Sequence, residues 1–305
     1  MPRVGVLKER ILMNKLMAVV AASVCAVSFS GVAVAAEEAK SDAKPAEGVE
    51  QEEPAWFGGG VQVDLMSAYI WRNTVQTDKP VLQPCAWIDF TRLEPFYFGF
   101  SYWQGWDLSS DRKAAYKRRL NESDYNIHAG VTAWENDDKD MSLVIEAGHE
   151  WYTYHFTRRY EGRDASPSTR ELYLKAMFNN PIVGVYGQGS WLYDEIGEID
   201  PGFYYEIGFN KEFELCDVLS LGFDWNTSFA DEDYSSFITG YSERGFLGTT
   251  VKAYLSWAVT DWMSLVGTVA YTGIINPNTR DDYTADDDPE DRDIIWGGFS
   301  AKFEF

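Results

Sequence analysis

The chain predicts an all-β fold, a transmembrane antiparallel β-barrel of about twelve strands, and three observations carry that prediction. Stretches of roughly ten to fourteen residues that alternate apolar and polar positions recur from Trp56 onward, and a period of two is what a strand with one greasy and one wet face produces. The connections between these stretches alternate between short and long. The last stretch alternates most plainly: Ile295, Gly297, Phe299, Ala301, Phe303 and Phe305 share one face, and Trp296, Gly298, Ser300, Lys302 and Glu304 the other.

The first 55 residues read differently. Arg3, Lys8, Arg10 and Lys15 precede an apolar run from Leu16 to Ala36 that contains Ala33-Val34-Ala35. A basic start, an apolar middle and a small-residue site describe a secretory signal peptide, residues 1–35, cleaved near Ala35/Ala36. About 20 apolar residues could also stay as a membrane helix, but the small-residue site favours cleavage. Residues 36–55 are acidic, rich in Ala, Lys and Glu, and have nothing to bury, so they predict a flexible periplasmic tail. Residues 56–305 remain for the barrel.

Composition narrows the class. Asp and Glu outnumber Lys and Arg by 48 to 26, a net charge of −22 that disfavours nucleic acid as a partner. Mean hydropathy is −0.31, yet a membrane barrel hides its apolar residues in alternate positions and escapes such averages. The 12 Trp and 18 Tyr suit a bilayer interface, where an apolar ring and a polar edge both find their medium. After the leader only Cys85 and Cys216 remain, and a bridge between them is open but unsupported.

Twelve strands are predicted at 59–72, 81–90, 95–107, 122–134, 141–155, 169–179, 182–194, 202–214, 218–229, 245–258, 262–274 and 293–305. Short connections such as Asn180-Pro181 alternate with long ones such as 73–80, 108–121, 230–244 and 275–292. Short periplasmic turns alternating with longer extracellular loops, with both termini periplasmic, is the barrel pattern. A soluble sandwich also has many short strands, but nothing in it requires loop length to alternate. In hydrocarbon an open sheet edge would leave a row of backbone groups unmet, so the sheet must close.

With the greasy face outward, the lumen is predicted to be lined by Asp64, Arg72, Asp89, Asp124, Glu146, Glu150, Glu171, Lys175, Glu206, Asp224 and Lys252, with Asn126, His128, Asn226, Lys302 and Glu304 beside them. Rings such as Tyr97, Trp103, Tyr186 and Tyr204 share that face. Acids exceed bases about two to one. They either cross-link a plugged interior through ion pairs or line a hydrated one that favours cations. Twelve strands lie between the filled eight and the open sixteen, which predicts a narrow pore at most. The loops segregate charge: Arg112, Lys117, Arg118, Arg158 and Arg159 make two of them basic, while residues 281–293 are mostly acidic. The basic loops suit lipopolysaccharide phosphates, and the acidic one lacks the regular order of a calcium loop.

Catalytic signals are weak. His128, His149 and His155 are the available bases, with His149 predicted to face outward, and no G-x-S-x-G or H-E-x-x-H occurs. We expect no enzyme, no cofactor and no metal site.

Two resemblances add to this reading. Ending on an alternating strand closed by Phe305 resembles bacterial outer-membrane barrels, which implies recognition of that strand by the barrel assembly machinery. Ser67-Ala68-Tyr69-Ile70-Trp71-Arg72, followed by Gln76, Asp78, Pro80 and Gln83, resembles a family of uncharacterised outer-membrane proteins. In that family the first strand carries Ser-x-Tyr-apolar-aromatic-Arg-Gly; here Asn73 replaces the glycine. The resemblance implies a porin-like barrel, and Arg72 would sit inward at the rim, paired with Asp78 or an inward carboxylate. The expectation is a porin-like outer-membrane channel for small hydrophilic solutes, leaning towards cations and surrounded by lipid and lipopolysaccharide. The alternative is a closed structural or adhesion barrel that works through its loops.

Overall fold

Alternation along the chain becomes closure in space. The structure, a computed structural model, describes residues 56–91, 93–108, 120–155, 158–160, 163–165, 168–194, 200–239, 242–274 and 293–305. The predicted signal peptide and tail lie outside the described residues, as do Arg112, Lys117, Arg118 and the acidic stretch before Asp293. In chain order the strands are β1 (Gly58–Met66), β2 (Tyr69–Trp71), β3 (Thr74–Thr77), β4 (Val81–Phe90), β5 (Phe96–Asp107), β6 (Leu120–Glu135), β7 (Ser142–Tyr154), β8 (Arg158–Tyr160), β9 (Arg163–Ala165), β10 (Ser168–Asn179), β11 (Gly184–Leu192), β12 (Gly202–Cys216), β13 (Leu219–Ala230), β14 (Gly245–Thr260), β15 (Met263–Ile274) and β16 (Asp293–Glu304). Among the described residues one helix, α1 (Glu232–Thr239), interrupts them.

Twelve strands form one closed antiparallel barrel, in which each pairs with its sequence neighbour among the twelve and β1 pairs with β16. The seam runs from Gly60 opposite Glu304 to Met66 opposite Gly298. The outward set is greasy: Leu174, Ile207, Val251, Val269, Ile295 and Phe299 stand exposed on five strands, the last two at 77% and 74%. No helix among the described residues is long and apolar enough to cross a membrane.

The short connections gather at one end and the long ones at the other, as strand order dictates. Asn180 shows why one short turn is stable. Its side-chain oxygen accepts the Ile182 and Val183 N–H groups at 2.9 and 3.1 Å, substituting for a backbone turn. Cys85 and Cys216 are both free, so no bridge joins them.

Three predicted boundaries need correction, all at the long-connection end, and one is the connection 156–168, read as a loop, which holds the β8–β9 hairpin. The first strand does not run to residue 72: it leaves the barrel after Met66, and β2 pairs with β3 in a separate hairpin. Likewise the connection after β13, read as a loop, contains α1. Tyr69 and Trp71 keep the alternation, but their rings pack on Trp103 and on Tyr152 and Phe237 instead of continuing the sheet. Ser67 fixes the exit, with its N–H donating to the Gly297 carbonyl at 2.9 Å and its hydroxyl accepting the Gly297 N–H at 3.1 Å.

Candidate functional site

The hairpin turns at Arg72 and Asn73, whose φ angles of 54° and 62° both lie in the left-handed region. A two-residue turn of that kind matches strand twist, and Asn adopts it readily. Its tip reaches across the lumen. The Arg72 guanidinium forms an ion pair with Glu171, whose side chain is completely buried. Its other N–H groups donate to Ser190 Oγ at 3.3 Å and to the Tyr152 hydroxyl at 3.4 Å. The face of the guanidinium lies 4.2 Å from the Tyr204 ring centroid. Burial opposes the charge on Arg72, but the Glu171 carboxylate together with the hydroxyls of Tyr234, Tyr152 and Tyr204 outweighs it and raises the pKa above the ordinary arginine value. Asn73 is fixed just as firmly: its amide donates to Ser228 Oγ at 2.9 Å and accepts from Thr250 Oγ1 at 2.6 Å.

Helix α1 supports the hairpin from the other side. Asp231 caps it by accepting the Tyr234 N–H at 2.9 Å. The Tyr234 hydroxyl donates to the second Glu171 oxygen at 2.5 Å, so one carboxylate ties hairpin, helix and wall together. Leu192, Tyr204, Ala230, Tyr234, Ile238 and Leu247 form a buried cluster, with Trp71 and Phe237 packed against it. Two glycines make room for these inserts. A Cβ at Gly202 would strike the Tyr234 backbone nitrogen, and one at Gly248 would lie 2.6 Å from the Asn73 carbonyl oxygen. Gly248→Val is therefore expected to unseat the hairpin tip. Trypsin should then cut after Arg72 and yield a new terminus at Asn73, detectable by mass spectrometry and not seen with the unaltered chain.

The wall facing the hairpin is acidic. Glu122 accepts the Tyr69 hydroxyl at 3.0 Å, and Glu150 accepts the Tyr152 hydroxyl at 2.7 Å. Glu150 also stands directly opposite Glu171 in the β7–β10 register. Asp124 completes the group, and its buried Oδ1 has no hydrogen-bond partner. Of these four carboxylates Glu171 meets the guanidinium directly, and the other three stand on the neighbouring strands.

Beneath the hairpin tip lies a chamber of about 380 Å³, roofed by Ile70, Arg72 and Asn73 and lined by Lys175, Asn179, Tyr186, Glu206, Asn210, Asp224, Asn226, Lys252 and Trp296. Lys252 pairs with Asp224 at 2.5 Å, Glu206 accepts the Tyr186 hydroxyl at 2.7 Å, and Lys175 lies over the Tyr186 ring at 5.1 Å. On the opposite wall Glu146 accepts Tyr97 at 2.7 Å and Tyr173 at 3.1 Å. Asp64 accepts Gln62 at 2.8 Å, and Lys302 pairs with Glu304 at 2.7 Å.

The strand registers put Asp64, Asp89, Asp124, Glu146, Glu150, Glu171, Lys175, Glu206, Asp224 and Lys252 on the face opposite the exposed apolar set. Arg72 reaches the lumen too, but from the hairpin. Asp78, one of its two expected partners, bonds Lys79 at 2.7 Å instead. Arg158 and Arg159 lie in β8, which pairs with β9 outside the barrel sheet.

The histidines take three different settings. His128 is held between Asp89 at 2.9 Å and Asn126 at 3.0 Å, so both ring nitrogens are engaged. His149 packs on Trp151 with centroids 3.8 Å apart and meets Tyr193 at 2.5 Å. His155 meets Ser123 at 2.9 Å, a pairing that separation in sequence concealed, and Ser123 is buried. Among the described residues no cluster of His, Cys, Asp or Glu is suited to holding a metal ion.

No family model matches the chain, and no curated protein matches it. Solved structures of bacterial barrels do. An outer membrane channel from Pseudomonas putida F1 is 10% identical, with 86% of this chain and 100% of that one covered and a TM-score of 0.49. The KdgM porin is 10% identical, with 81% and 99% covered and a TM-score of 0.44. Outer membrane phospholipase A from Escherichia coli is 16% identical, with 81% and 92% covered and a TM-score of 0.45.

Proposed function

We propose that this chain is a bacterial outer-membrane channel, narrow and porin-like, that passes small hydrophilic solutes and favours cations. The continuous belt of exposed apolar side chains supports the membrane setting. A patch that large is a liability in water, whereas a closed barrel in hydrocarbon leaves no backbone group unmet. On this reading the short turns and both termini are periplasmic, the long connections are extracellular, and the leader directs export. Lipid surrounds the belt, and lipopolysaccharide meets the basic loops.

One observation carries the channel reading: the hairpin crosses the lumen above an open, polar chamber and narrows it where Arg72 pairs with Glu171, with Glu122, Asp124 and Glu150 on the neighbouring strands. A ring of surplus carboxylates lowers the cost of passing a cation and raises that of an anion. Planar-bilayer recording of the refolded mature chain in a KCl gradient tests this. Small stepwise conductance with a cation-directed reversal potential is expected. Anion preference would move the filter to the basic loops around Arg118 and Arg158. Silence from a verified folded barrel would favour the closed structural or adhesion barrel, a reading helped by the complete burial of Glu171, Tyr204 and Tyr234.

A further inference from the structure

We propose that the pocket around Arg72 is a guanidinium-binding site which the protein's own hairpin fills as an internal ligand, and that guanidinium-bearing solutes cross the barrel by displacing it. The inference rests on the channel reading and names the solute class of the same constriction.

The pocket is complementary to a guanidinium in every element. Glu171 supplies the carboxylate, Ser190 and Tyr152 supply hydroxyl oxygens to further N–H groups, and Tyr204 supplies an aromatic face at 4.2 Å. A planar cation with several fixed donors uses all of these, whereas an ammonium, a compact point charge, forfeits the stacking and the fork. Tyr234 holds the second Glu171 oxygen at 2.5 Å, so the acceptor is oriented from a separate element of the fold.

Two further observations set Arg72 apart from an ordinary structural arginine. It occupies a backbone position at φ 54°, which a residue with a Cβ adopts at a cost and glycine almost freely. The turn itself therefore gives no reason for arginine; the pocket does. The carboxyl groups around the pocket also outnumber its one guanidinium. Glu150 faces Glu171 across the register, an arrangement that is unfavourable until a cation lies between, and Asp124 Oδ1 is buried without a partner. A second cation is thus drawn to the place where Arg72 already sits, and exchange between the two becomes the step that admits it.

Transport assays with the full mature chain in proteoliposomes decide the matter, after KCl conductance has been recorded on the same preparation. L-Arginine and L-lysine carry the same charge at similar size, and L-citrulline is the uncharged counterpart of arginine. Arginine is expected to enter about fivefold faster than lysine, as stacking and fork recognition favour the planar cation, with citrulline slowest. Glu171→Gln should bring the arginine-to-lysine ratio to about one, because the charged acceptor is gone. Tyr204→Leu keeps the ion pair and should roughly halve the ratio by removing the stacking face. Equal arginine and lysine rates with KCl conductance intact would overturn this inference and leave the channel standing. A preference that persists in both variants would also overturn it. A barrel silent in KCl would remove the channel reading and this inference together.

Discussion

Arg72→Ala is expected to cost the barrel about 3–5 kcal/mol if the hairpin stays in the lumen, the usual penalty for leaving one partner of a buried ion pair alone. Glu171 would keep the Tyr234 hydroxyl, but it would face Glu150 with no counter-charge between them. The hairpin has a second option, which is to leave. Water then reaches Glu171, the thermodynamic cost shrinks, and the constriction widens. Urea unfolding in lipid vesicles, followed by tryptophan fluorescence, reports the first outcome. Unitary conductance reports the second, with a rise of about twofold or more expected where a constriction of this kind is cleared. The paired substitution Arg72→Met with Glu171→Leu should recover most of the stability, since an apolar pair of similar volume replaces a buried ionic one at little net cost. Single-variant stability and conductance both unchanged would mean that the hairpin is not seated as the ion pair requires.

What the sequence revealed and concealed follows from the range of the interactions. Period-two alternation is local, so strands such as 81–90 and 293–305 could be placed within a residue or two, and the inward face of each followed from its greasy partner face. Two inserts were hidden because their alternation is equally good whether a segment continues a sheet or folds into the lumen. Tyr69-Ile70-Trp71 reads as more of β1, and only the Arg72-Asn73 turn breaks it. Asn at a position where glycine was expected was the available signal, since both tolerate positive φ. Nothing comparable marked Tyr234: α1 is eight residues long, and its buried face is defined by contacts with Leu192, Tyr204 and Leu247 on other elements. Glu122 escaped notice for a related reason, as its partner Tyr69 lies 53 positions away. Inward carboxylates were legible one at a time, whereas the meeting of Glu171 with Arg72, 99 positions away, required the closed barrel.

Leu174→Arg should be among the most damaging single substitutions on the outer surface. Leu174 is exposed in the middle of β10, with Lys175 facing the lumen beside it, so two adjacent residues of one strand meet opposite media. At the bilayer midplane an arginine costs about 2–4 kcal/mol, falling towards zero near the interfaces. A strand rises about 3.3 Å per residue, which places Ile182, exposed in the short turn after β10, near or beyond the interface. Ile182→Arg should therefore cost under about 1 kcal/mol by the same depth dependence. Urea unfolding of both variants in lipid vesicles separates the two media by comparison. A large loss at 174 and a small one at 182 requires hydrocarbon around the middle of the strand. Equal, small losses are what water on both sides would give, and they would take the membrane from the argument and the channel with it.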